Sequence, residues 1–178
     1  MSLRHVILGL LARRPATGYD LKKAMDAELS HVWAADQAGI YRALSALVDA
    51  GHAEVERIAQ SSRPDRREHR ITDPGRAELA RWLRDGSGPG PIRDPALVRL
   101  VFAAELPADE VVALVYRRIA ETRAELRYLT AQAEADDHDT DDPAARRWWL
   151  ATLDNRRRHA ETELAWLREL RDELVEGR

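Results

Sequence analysis

The sequence predicts a mainly α protein in two parts: a winged helix-turn-helix with a two-stranded wing, followed by a helical dimerisation domain. Three observations carry this. Apolar residues recur at three-to-four spacing up to Gly51, the period shortens to two between Ala53 and Thr72, and long helical spacing resumes beyond a breaker-rich stretch after Arg84. The boundaries that follow are 1–84 for the winged domain, 85–94 for a linker and 95–178 for the helical domain.

In the first segment Leu3, Val6, Ile7, Leu10 and Leu11 define one apolar helical face. Pro15 breaks it, and Thr17 offers a hydroxyl cap to a second helix running to about Leu29, with Asp20 at capping-box spacing. A polar joint containing Asp36 precedes a third helix with Ile40, Leu44, Leu47 and Val48 inward, ended by Gly51 in the left-handed cap position. Ala53, Val55 and Arg57 then alternate with Glu54, Glu56 and Ile58 as a half-exposed strand, and Arg67 to Thr72 reads as its return partner across a polar tip with Ser61, Ser62 and Pro64. Thr72 caps a fourth helix that turns Leu79, Trp82 and Leu83 inward.

The linker holds Gly86, Gly88, Pro89, Gly90 and Pro91. Asp94 and Pro95 open a short helix with Leu97, Leu100 and Val101 inside. After Pro107, the positions Val112, Val115, Ile119, Thr122, Leu126, Leu129 and Ala133 make a heptad-like seam. A last helix, opened by Asp142 and Pro143, carries Trp149, Leu153, Ala160, Leu164, Leu167 and Leu174 on one side, with Trp148 and Trp166 displaced from it. Two stripes of this length exceed what the short helix covers, so a second copy is expected to cover them. The expected dimer residues are Val112, Val115, Ile119, Leu126, Leu129, Trp149, Leu153, Leu164, Leu167 and Leu174.

Charge separates the two parts. Residues 1–84 hold 14 Lys+Arg against 11 Asp+Glu, whereas 85–178 hold 14 against 20. The basic part is the candidate for phosphate contact. In a helix-helix-helix-hairpin-helix layout the third helix fits a major groove, the second braces it, and the hairpin reaches the neighbouring backbone or minor groove. The side chains in those places are Gln37, Tyr41, Arg42 and Ser45 on the third helix, Tyr19, Lys22 and Lys23 on the second, and Arg63, Arg66 and Arg67 around Pro64 on the wing. Pattern alone fits a solvated polar face equally well.

Linked motifs weigh on that choice. Leu8-Gly9-Leu10-Leu11, Gly18-Tyr19-Asp20-Leu21, Ile40-Tyr41 with Leu44 and Leu47, Arg63-Pro64-Asp65-Arg66-Arg67, and Arg70-Ile71-Thr72 with Gly75 resemble the PadR signature in order and spacing. The remainder looks like the longer C-terminal domain of virulence-activator relatives. The resemblance implies a homodimeric repressor that binds operator DNA and is released by a small molecule or another signal. It makes Tyr41 and its neighbours groove contacts, Tyr19 a backbone contact, and Arg63 with Pro64 the wing tip. Three positions depart from the pattern: Arg42 where a proline often follows the tyrosine, His69 where a tyrosine is usual, and Ser62 where the wing usually has glycine.

Other chemistries are poorly served. The chain has no cysteine, which excludes disulfides, thiolate metal sites and a thiol switch. No apolar run reaches spanning length and no signal layout opens the chain, so the cytoplasm is the expected compartment. A phosphate-binding glycine loop, a nucleophile elbow and paired histidines at ligand spacing are all missing, which argues against an enzyme and a cofactor. The acidic run Asp136-Asp137-His138-Asp139 with Asp141 and Asp142 lacks calcium-loop order. Tryptophans stacking on a small aromatic effector compete with their reading as dimer core. The alternative to DNA binding is a winged-helix module that docks a partner regulator.

Overall fold

A computed structural model describes residues 3–58, 66–86, 94–135 and 142–177, with the side chains of Ile58 and Arg66 excepted. The chain divides into two compact units, Met1–Gly90 and Pro91–Arg178.

In the first unit α1 (Leu3–Arg13), α2 (Gly18–Ala24), α3 (Gln37–Asp49), β1 (Ala53–Ile58), β2 (Arg66–Ile71) and α4 (Asp73–Arg84) follow in order. The starts of α2, α3 and α4 are each capped by a side-chain oxygen. At α2 the Asp20 amide donates to Thr17 Oγ1 and the Thr17 amide to Asp20 Oδ2, both at 3.1 Å, closing the capping box. Asp36 accepts from the Gly39 amide at 2.6 Å and Thr72 Oγ1 from the Gly75 amide at 3.1 Å. Thr72 also donates to the Gly51 carbonyl, fastening the end of α3 to the start of α4. Gly51 has φ of 71°, the conformation that a side chain disfavours and that turns the chain from α3 into β1.

The core comprises Ile7, Leu8, Leu10 and Leu11 of α1, Leu21 and Met25, and Ile40, Ala43, Leu44 and Leu47 of α3, with Val48 and Leu79 partly buried against it. On α4, Trp82 stacks on His5 with ring centroids 5.0 Å apart, and His5 Nε2 lies 3.0 Å from Glu78. The expected inward position of Leu83 is corrected: it is 68% exposed, because the face of α4 against α1 is used by Leu79 and Trp82. Past Ala24 the second helix widens into a π turn, Met25–Leu29, which buries Glu28 where Arg13 reaches it at 2.5 Å.

The two strands are antiparallel, with Ala53 opposite Ile71, Val55 opposite His69 and Arg57 opposite Arg67. That face therefore runs from buried at Ala53 to exposed at Arg57 as the hairpin leaves the core. A third segment joins it. The Ala16 amide donates to the His69 carbonyl at 3.1 Å and the His69 amide to the Ala16 carbonyl at 2.9 Å, tying the wing's base to the turn between α1 and α2.

The second unit holds α5 (Pro95–Val101), a 3-10 turn (Ala103–Glu105), α6 (Ala108–Glu134) and α7 (Pro143–Glu176). Asp94 and Asp142 cap α5 and α7 through the amides of Ala96 and Ala144. Arg118 pairs with Glu163 at 2.6 Å and Arg156 with Glu125 at 2.5 Å, so α6 and α7 run antiparallel.

This pairing brings the apolar seams together within one chain. Val115, Ile119, Leu164 and Leu167 form one cluster, with Leu126 and Leu174 packed against it; Leu129, Trp149 and Leu153 form a second. Val112 is half-buried beside them and Ala133 is exposed. The two stripes pack on each other within one chain, while Val112, Leu126 and Leu174 stay partly exposed. Correspondingly, Leu97 and Val101 of α5, expected inside, are 44% and 74% exposed, and only Leu100 reaches the core.

Candidate nucleic-acid interface

The outer face of α3 meets the base of the wing in a cleft of about 520 Å³. Tyr19, Tyr41, Ser45 and Arg67 line it together with Gly18, Leu44, Val55 and His69, and the Asp49 carboxylate stands in the same lining. Four residues expected at an interface from sequence thus share one surface. Tyr41 is 52% and Tyr19 68% exposed, which leaves large flat side chains available to a partner. Gln37, Tyr41 and Ser45 lie four apart and share a stripe along α3, with Gln37 half-buried and Arg42 exposed beside it.

The cations differ in availability. Lys22 is held by the Asp26 carboxylate one turn on, so its expected role in phosphate contact requires breaking that pair. Lys23, Arg42 and Arg67 have no carboxylate partner among the described residues. Arg63 and Pro64 lie outside the described residues, as does the side chain of Arg66.

Sequence reasoning missed Arg57, which faces Arg67 directly across the hairpin. Two like charges in cross-strand register are destabilising by themselves. An anionic partner would remove the repulsion. Pairing of the strands, which fixes the register, was the only signal that could have found it.

His69 is buried and its Nδ1 has no hydrogen-bond partner among the described residues. Burial holds its pKa below the ordinary histidine value, against a backbone hydrogen bond to Ala16 that raises it and with Arg67 adding to the depression. His31 is shifted the same way by burial. A histidine whose folded pKa is lowered binds its proton better when unfolded, so stability falls as pH drops below about 6.5 toward the folded value. The expected result is a lower thermal midpoint at pH 5 than at pH 7, with a weaker dependence in His69→Tyr. An identical pH dependence in that variant would contradict the assignment. Glu78, pushed down to about 2 by its bonds to Arg81 and then His5, stays ionised throughout this window.

Two family models match this chain. Residues 7–81 match the transcriptional regulator PadR-like family and residues 92–175 the virulence activator α C-terminal domain. The chain belongs to the PadR-like family of transcriptional regulators. A probable transcriptional regulator of Mycobacterium tuberculosis is 35% identical over 89 residues, 50% of this chain and 47% of that one, so the match spans about half of that relative. The negative transcriptional regulator PadR of Bacillus subtilis is 29% identical over 133 residues, 74% of this chain and 73% of that one. The solved structure of Bacillus subtilis PadR in complex with operator DNA superposes with a TM-score of 0.82 at 24% identity, over 97% of this chain and 98% of that one. A structure of the same protein in complex with p-coumaric acid gives 0.75 at 23% identity, over 97% and 98%. The PadR-like fold thus extends over both units, and the family is one of regulators rather than enzymes. No described helix is long and apolar enough to cross a membrane. The acidic run at 136–141 lies outside the described residues; Asp142, next to it, caps α7.

Proposed function

We propose that this PadR-like regulator is a cytoplasmic repressor that binds operator duplex DNA as a homodimer, with α3 in the major groove and the wing on the adjacent backbone. The observation that carries it is the cleft in which Tyr41 of α3 and Arg67 of the wing stand together, with Arg42 exposed next to Tyr41 in the chain and Arg57 exposed opposite Arg67 across the hairpin. Hydroxyls and a guanidinium on one exposed surface suit base edges and phosphates. DNA binding is assigned to residues 1–84, joined by 85–94 to a dimerisation domain at 95–178.

The dimer surface is reassigned to the apolar side chains that α6 and α7 leave uncovered. Val98, Val101 and Phe102 are 54%, 74% and 66% exposed on and just after α5. A small aromatic effector is the proposed release signal, which the p-coumaric acid complex of Bacillus subtilis PadR supports. A cleft of about 370 Å³ lined by Leu97, Leu100 and Trp166 has an apolar wall, with Arg99 and Arg117 as the charged groups that such a molecule would use beside the Arg118–Glu163 pair.

A salt titration on a duplex selected from a random pool tests the DNA reading. Tyr41→Ala and Arg42→Ala are each expected to weaken specific binding by about 1–3 kcal/mol. Arg57→Ala and Arg67→Ala should weaken all sequences alike and reduce the salt slope by about one unit each. Wild-type binding in all four variants, or affinity that ignores salt, would instead mean that α3 docks a protein.

A further inference from the structure

We propose that Gly18 is a positioning residue for DNA reading, because its missing side chain is the seat of the Tyr41 ring. The inference rests on the assignment of Tyr41 to the groove. Gly18 is buried as the first residue of α2, and its φ is not in the left-handed region, where the described glycines Gly51 and Gly177 lie. Its backbone is therefore open to any L-residue, and a helix would favour alanine there over glycine. What demands glycine is contact. A Cβ built on Gly18 would stand 2.5 Å from Cε1, 3.0 Å from Cζ and 3.1 Å from Cδ1 of Tyr41, and these three ring atoms are its nearest neighbours.

One partner in that contact is fixed and the other is not. The Gly18 backbone follows Ala16, which is bridged to β2, and Thr17, which is locked to Asp20 by the capping box. The Tyr41 ring is half-exposed on the outer face of α3, where it lines the open cleft and is the flexible end of its side chain. An added methyl group would push the ring rather than the helix. Cζ carries the phenolic hydroxyl, so displacing the ring moves the polar tip out of hydrogen-bond range of a base edge or phosphate. The core behind α3 would be untouched.

The test compares Gly18→Ala, Tyr41→Ala and the double variant, in the full-length protein, on the selected duplex and on an unrelated duplex. Gly18→Ala is expected to lower specific affinity by about 10-fold, the order of Tyr41→Ala, with unchanged non-specific binding. Its thermal midpoint should equal or exceed that of wild type. In the Tyr41→Ala background the same change should alter affinity by less than about two-fold, since the coupling is with that ring. Four results would overturn the proposal. Wild-type binding by Gly18→Ala alongside weak binding by Tyr41→Ala would show that the seat is not needed. Equal losses in both backgrounds would place its action elsewhere. A lower midpoint with loss on both duplexes would make Gly18 a structural residue only. Wild-type binding by Tyr41→Ala would remove the groove assignment beneath the proposal.

Discussion

Replacing Leu167 or Leu129 with aspartate is expected to unfold the α6–α7 hairpin. Both side chains are 1% exposed, in separate clusters along the pair. Each substitution removes a buried leucine, itself worth about 2–5 kcal/mol, and leaves a charge without a partner where water cannot reach. Their sum is a large fraction of the stability of a unit of this size. Circular dichroism should show loss of much of the signal of the two longest helices, and specific DNA affinity should fall with it. The lesion would differ from a failure of association: protein concentration should not restore the helical signal. A variant that keeps its helices but becomes monomeric would return these residues to the dimer interface.

Val101→Glu combined with Phe102→Glu has the opposite signature. These residues are exposed in the single chain, so the substitutions should change its fold and thermal midpoint little. They place two charges on the proposed contact between copies. Linked half-sites bind together with an effective concentration that lifts affinity by about 100-fold or more over one module. A folded monomer in sedimentation, with specific affinity reduced by at least that order, is expected. A dimer of unchanged stability would assign this surface another role.

The contrast between these variants marks where the sequence ran out. Helix starts were legible because each is a short-range bond between neighbours: Thr17 with Asp20, Asp36 with Gly39, Thr72 with Gly75. The seam residues of α6 and α7 were legible as buried, since period reports burial. It does not report against what. A stripe on one helix is satisfied equally by a neighbour in the same chain or by a copy, and only the ion pairs Arg118–Glu163 and Arg156–Glu125, far apart in sequence, reveal the first. For the same reason the α5 residues Leu97 and Val101 were read as inward.

At the candidate site, Tyr19, Tyr41, Ser45 and Arg67 were found from helix faces and motif spacing. Arg57 was not, and His69 stood out only as a departure from the family's tyrosine, because their positions depend on strand register and on the bridge to Ala16. Gly18 was read as part of a motif, but its physical reason lies in a ring 23 positions further along.

Hydroxyl-radical footprinting of the full-length protein on the selected duplex tests the central claim most directly. The account predicts two protected half-sites related by a two-fold, about 34 Å or a multiple of it apart, with protection lost together in Val101→Glu/Phe102→Glu and weakened at both in Tyr41→Ala. A single protected stretch without internal symmetry, or protection indifferent to both variants, would contradict it.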